Sequence, residues 1–106
     1  MGLFTRKKKS TPLADRVYYS TPFGETTSGD PRPFLFARDG VLYVPLFRSP
    51  DSMKDFYAQA NRAAYMILEG DVQSVLNTNS SVEVLRQVGV VIEPLSEDPV
   101  FIAPSP

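Results

Sequence analysis

The chain has 106 residues and a net charge of −1, with 42% hydrophobic and 22% charged residues and neither histidine nor cysteine. Those absences remove the side chains most used for proton shuttling, nucleophilic attack and metal ligation near neutral pH, and they leave no disulfide framework. The length fits one domain, and no apolar run reaches the roughly 18–20 residues that a membrane span needs.

Charge is unevenly placed. Residues 1–16 carry a net +4, from Arg6, Lys7, Lys8, Lys9 and Arg16 against Asp15, whereas residues 17–106 carry a net −5. An acidic body is a poor nucleic-acid surface, because phosphates must be met by a basic face. The basic cluster is followed by Ser10-Thr11-Pro12 rather than by the apolar stretch of a signal peptide. Met1–Arg6 matches a myristoylation signal only in part, since Arg6 stands where Ser or Thr is required. Leu3, Phe4 and the run Arg6, Lys7, Lys8, Lys9 suit weak contact with an anionic membrane surface, at about 1 kcal/mol per basic residue. A solvated terminus is the plainer reading.

Residues 1–33 read as a largely disordered or extended tail. The basic run repels itself, and Ser20–Pro33 is rich in Ser, Thr, Gly and Pro, with Val17-Tyr18-Tyr19 as one short added strand. Four of the ten prolines fall between Thr11 and Pro33 and four between Glu93 and the terminus, which confines the folded unit to residues 34–102 and leaves 103–106 as a C-terminal tail. A core of about 70 residues supplies only roughly 3–5 kcal/mol, so such a unit gains from self-association or a bound partner.

Phe34–Ala37 reads as a strand, Asp39-Gly40 as a tight turn and Val41–Phe47 as the second strand of a hairpin. Pro45 lacks an N–H and so belongs near a strand end or on an edge. Ser49-Pro50 opens a helix, with Ser49 as the cap and Asp51 and Asp55 near the positive end of the helix dipole. Met53, Phe56, Tyr57, Ala60 and Ala64 give it one apolar stripe. Ala63–Leu68 is the next expected strand, ended by Gly70-Asp71. Ser80 and Glu83 have capping-box spacing, which predicts a second helix there with Val82, Leu85 and Val88 buried and Gly89 as its stop. Val90-Val91-Ile92 reads as a buried strand and Val100-Phe101-Ile102 as a last short one. The expectation is an α+β domain of order β-β-α-β-α-β(-β), a mixed sheet with two helices packed on one face.

The stretch Leu42-Tyr43-Val44-Pro45-Leu46-Phe47-Arg48-Ser49, followed by a helix from near Met53, resembles the "lpvFts" segment of the N-terminal domain of SseB-like proteins, bacterial proteins named for enhanced serine sensitivity. Val88-Gly89-Val90-Val91-Ile92-Glu93-Pro94 resembles that family's "glglviNP" segment, with Glu93 where the pattern has Asn. The resemblance spans roughly residues 34–102, including the order of elements. It implies a bacterial, cytoplasmic α+β domain with no established enzymatic activity, and it brings no catalytic residues with it.

The residues offer little catalytic chemistry. Asp51 and Asp55 lie four apart on one helix face, where solvated dipole partners are the plainer reading than a carboxylate pair of raised pKa. Glu93, Glu97 and Asp98 lack a metal-loop spacing and read as an acidic exposed turn. Tyr18, Tyr19, Tyr43, Tyr57 and Tyr65 suit buried rings with hydroxyls at the surface, or a contact surface. Ser49, Ser80 and Ser81 have no histidine to activate them, and capping explains the first two. No glycine spacing matches a nucleotide loop. No enzyme, cofactor or metal is expected, and the cytoplasm is the natural compartment for a cysteine-free chain.

Two functions remain. The first is a non-catalytic interaction or regulatory module that meets a protein partner or its own copy through the hairpin edge, with Phe34, Phe36, Tyr43 and Phe47 as the contact surface. The second is a small-ligand, amino-acid-sensing domain, in which Arg38, Arg48 or Arg62 would meet the carboxylate.

Overall fold

The structure is a computed structural model that describes residue 13 and residues 15–104; the basic run Arg6–Lys9 lies outside the described residues. The elements are β1 (Arg16–Tyr19), β2 (Phe23–Glu25), β3 (Pro31–Pro33), β4 (Phe36–Arg38), β5 (Val41–Leu46), α1 (Pro50–Gln59), β6 (Leu68–Asp71), α2 (Val72–Ser81), β7 (Gly89–Ile92) and β8 (Val100–Ile102), with a 3-10 turn at Glu83–Leu85. The fold is α+β, and from β4 onward the order is β-β-α-β-α-β-β.

A four-stranded mixed sheet runs β4-β5-β7-β8, with β5 and β7 parallel and the outer pairs antiparallel. The hairpin β4–β5 closes through Asp39 and Gly40, both at positive φ (52° and 81°), the geometry an Asp-Gly two-residue turn supplies. Pro45 lies within β5, opposite Val91 of β7. The β4 pairing stops at Tyr43, and β1 meets this stretch of chain only just past β5, where Phe47 N donates to Tyr18 O at 2.9 Å. The missing N–H therefore falls where β5 has no partner on that side.

Residues 15–33, read from the sequence as tail, carry three strands. β1 pairs antiparallel with β6, Val17 opposite Gly70, and Val17 is fully buried. β2 and β3 form a separate two-stranded ribbon. β1 covers the short strand expected at Val17–Tyr19, and what leaves no local mark in the sequence is its pairing with β6, some fifty residues away.

Two clusters make the core. Val44 and Leu46 of β5 and Val90 and Ile92 of β7 pack with Val17, with Val72, Val75 and Leu76 of α2, and with Leu85 and Val88. Phe47, pointing opposite to Leu46, packs with Phe34 and with Met53, Phe56 and Tyr57 of α1. The helices, expected together on one face, divide between these clusters.

α1 begins as the sequence predicts: Ser49 Oγ accepts from Ser52 N at 3.3 Å, with Pro50 in the first turn. It ends at Ala60, and Asn61 turns the chain away at φ 65°. Ala64 thus lies beyond the helix, and of the strand expected over Ala63–Leu68 only Leu68 is paired.

The second helix starts eight residues before Ser80, at Val72. Asp71, expected to end a strand, caps it: Asp71 Oδ1 accepts from Ser74 N at 2.8 Å while Ser74 Oγ lies 3.4 Å from Asp71 N, completing a capping box. Ser80 sits in the last turn, its hydroxyl donating to Asn77 O at 2.9 Å. Leu85 and Val88 are buried as expected, but Val82 is exposed.

Candidate functional site

The expected contact surface splits in two. Phe34 and Phe47 are core residues, 3% and 1% exposed. Phe36 and Tyr43 are half-buried, facing each other across the hairpin. They share a face with Phe101 of β8, which sequence reasoning did not single out. The Tyr43 and Phe101 rings meet edge-on at 4.9 Å and Phe36 lies 5.9 Å from Phe101. Arg38 completes the group, its guanidinium 4.4 Å from the Phe101 ring centroid, within cation–π range.

Gly89 allows this face to form. It sits in β7 opposite Tyr43, between that strand and β8. A Cβ there would collide with the Ile102 carbonyl oxygen and stand 3.1 Å from Tyr43 Cδ1.

The three arginines proposed for a carboxylate ligand take three different sets of partners. Arg38 caps Phe101 and lies 3.7 Å from Asp39. Arg48 Nη1 donates to Asp15 Oδ2 at 3.2 Å. Arg62 is buried, 6% exposed, and has no carboxylate partner among the described residues. Its Nη1 donates to Thr21 O at 2.9 Å, Nη2 to Thr21 Oγ1 at 3.2 Å and Phe23 O at 3.3 Å, and Nε to Ala64 O at 3.3 Å. Phe34 and Tyr57 present their rings to it at 4.7 and 4.9 Å. Arg62 thus pins the β1–β2 connection to the end of α1.

Burial pushes the Tyr57 hydroxyl up to about 12, with Arg62 beside it opposing the shift. A tyrosine so placed stays protonated throughout the physiological range.

Glu93 is also engaged. It takes φ 56°, and its Oε2 accepts from Arg48 N at 2.6 Å and from Ser52 Oγ at 2.8 Å. With Asp55, Gln59, Leu95 and Ser96 it borders a shallow cleft beside α1. Among the described residues no group of three or more Asp or Glu side chains is placed to hold a metal ion.

A second hollow lies under α2. It has a volume of about 200 Å³ and is walled mainly by Val44, Leu68, Val75 and Leu85, with Ser20 and Asn79 among its polar members.

No family model, no curated protein and no solved structure matches this chain. Among the described residues no helix is long and apolar enough to cross a membrane.

Proposed function

We propose that the chain is a non-catalytic interaction or regulatory module, and that its contact surface is the aromatic face of Phe36, Tyr43 and Phe101 with Arg38. The observation that carries this reading is that three half-exposed rings and one guanidinium meet across the sheet, between its two edge strands β4 and β8. Aromatic and arginine side chains are enriched where interface energetics concentrate, and rings bury large rigid areas at little entropic cost. β4 and β8 are the outer strands of the sheet, and an edge strand's unpaired backbone groups can take a strand of another chain. The specific form proposed is a homodimer through the hairpin edge.

The SseB-like assignment belongs to the same proposal and rests on the Leu42–Ser49 and Val88–Pro94 segments. With it go a bacterial source and the cytoplasm, which a cysteine-free chain suits. The amino-acid-sensing alternative draws less support, because Arg48 and Arg62 are both engaged within the fold.

Light scattering at micromolar concentration tests the proposal. The expected result is a dimer that the paired substitution Tyr43→Ala and Phe101→Ala converts to monomer. A wild-type protein that stays monomeric up to its solubility limit overturns the dimer. An unchanged dimer in the variant removes the aromatic face.

A further inference from the structure

We infer that the hollow under α2 is a binding site for a small, uncharged, single-ring molecule carrying one hydroxyl, held by the hydroxyl of Ser20. The wall is built from segments distant in sequence: Tyr19 at the end of β1 with Ser20, Thr21 and Pro22 after it, Val44 of β5, Leu68 of β6, Val75, Thr78 and Asn79 of α2, and Leu85 beyond it.

The polar groups of that wall are mostly accounted for. Thr21 Oγ1 donates to Phe23 O, Thr78 Oγ1 donates to Ser74 O at 3.0 Å, and Asn79 Nδ2 donates to Val88 O at 3.2 Å. Ser20 differs. It is 2% exposed, and its Oγ has no hydrogen-bond partner among the described residues. A buried hydroxyl without a partner is costly, and here it borders an apolar space large enough for an occupant.

Size and charge narrow the class. An apolar cavity of about 150 Å³ takes a benzene ring, so about 200 Å³ accommodates a ring with one or two small substituents. No charged side chain lines the hollow. A carboxylate or ammonium group would be buried without a counter-charge, so free amino acids and other zwitterions are the wrong chemistry. A single hydroxyl on the ring gives Ser20 the partner it lacks.

The site is separate from the aromatic face: a monomer that binds such a molecule removes the dimer and leaves this site standing. The probes are p-cresol, toluene and p-toluate at neutral pH, followed by the methyl resonances of Val44, Val75 and Leu85. The expected result is saturable shifts with p-cresol, toluene binding about fivefold to tenfold more weakly for want of one hydrogen bond, and no binding of p-toluate. Ser20→Ala removes only an unpartnered hydroxyl, so it is expected to fold, to bring p-cresol down to the level of toluene and to leave toluene unchanged. Absence of a saturable shift with p-cresol overturns the site. Equal affinity for p-cresol and toluene in the wild type, or equal loss of both in the variant, overturns the role of Ser20.

Discussion

The guanidinium carbon of Arg62 lies 4.9 Å from the ring centroid of Tyr57, with Phe34 on the same cation at 4.7 Å. The charge is thus held by ring faces and carbonyl oxygens in place of a carboxylate. A guanidinium tolerates this because it is planar, weakly hydrated and rich in donors. The arrangement ties three parts of the chain together: the β1–β2 connection through Thr21 and Phe23, the end of α1 through Tyr57, and Ala64 beyond it.

Arg62→Leu should therefore cost roughly 2–4 kcal/mol in urea unfolding, since it leaves carbonyls at Thr21, Phe23 and Ala64 without their donors. Hydrogen exchange gives the sharper test. The amides of Thr26 and Thr27, bonded to Asp30 O and Asn61 O, should lose protection before those of β7. Uniform loss across the sheet would mean that Arg62 supports the whole core and does not specifically hold the β2–β3 ribbon. Gly24→Ala should weaken the same region, because its Cβ would stand 2.7 Å from Arg62 Nη2.

Tyr57 makes stability depend on alkaline pH. Its folded-state value of about 12 lies above the ordinary value of 10.0. Between these values the unfolded chain releases the proton while the folded chain keeps it, so stability falls as pH rises through that window. The full loss is roughly 2–3 kcal/mol, from about 1.4 kcal/mol per pKa unit. Tyr57→Phe should show a flatter decline above pH 10 in thermal unfolding. Parallel curves for the two proteins would show that the ring's burial does not set this titration.

The start of α2 yields a paired prediction. Asp71→Ala breaks the capping box with Ser74 and should cost about 1 kcal/mol. Ser80→Ala removes a hydroxyl bonded to Asn77 O in an exposed last turn and should change stability by less than about 0.5 kcal/mol. Chemical denaturation of both variants checks this. The reverse ranking would place the helix start at Ser80.

That ranking also shows where the sequence could be read and where it could not. The Asp-Gly turn, the Ser49-Pro50 cap and the β7 run carry strong local signals, and all three elements form where expected. α2 is made of Val72–Ser81, a Ser-, Thr- and Asn-rich segment with weak intrinsic helix preference. Its apolar stripe, Val72, Val75 and Leu76, was present but short, and Gly70-Asp71 resembled a strand terminator. β1 is legible as a short strand at Val17–Tyr19, but its pairing is not, because β6 is distant in sequence. Ser20 gave no sign at all: it lies in a Ser- and Pro-rich stretch, and only the tertiary fold buries it. Arg62 reads in the sequence as a charge open to a ligand, and its burial among aromatic rings depends on contacts that no local pattern encodes.

Gly89 places the aromatic face under direct test. It lies opposite Tyr43 in the β5–β7 register, and a side chain there would meet the Ile102 backbone on one side and the Tyr43 ring on the other. Backbone cannot yield as a flexible side chain can, so β8 must separate from β7. Gly89→Ala should cost roughly 1–3 kcal/mol, the usual range for overpacking. It should also move Phe101 away from Tyr43, because Phe101 is held over the sheet by the Val91–Phe101 pairing. In nuclear Overhauser spectra the cross-peaks between the two rings should weaken, while those between Phe47 and Phe56, which pack at 5.5 Å in the other cluster, should persist. If the Tyr43–Phe101 cross-peaks survive intact, the sheet has absorbed the methyl group and Gly89 is not what shapes the face. If both sets vanish, the substitution has unfolded the domain, and the milder Tyr43→Phe and Phe101→Leu variants then report the contact through their effect on dimer dissociation.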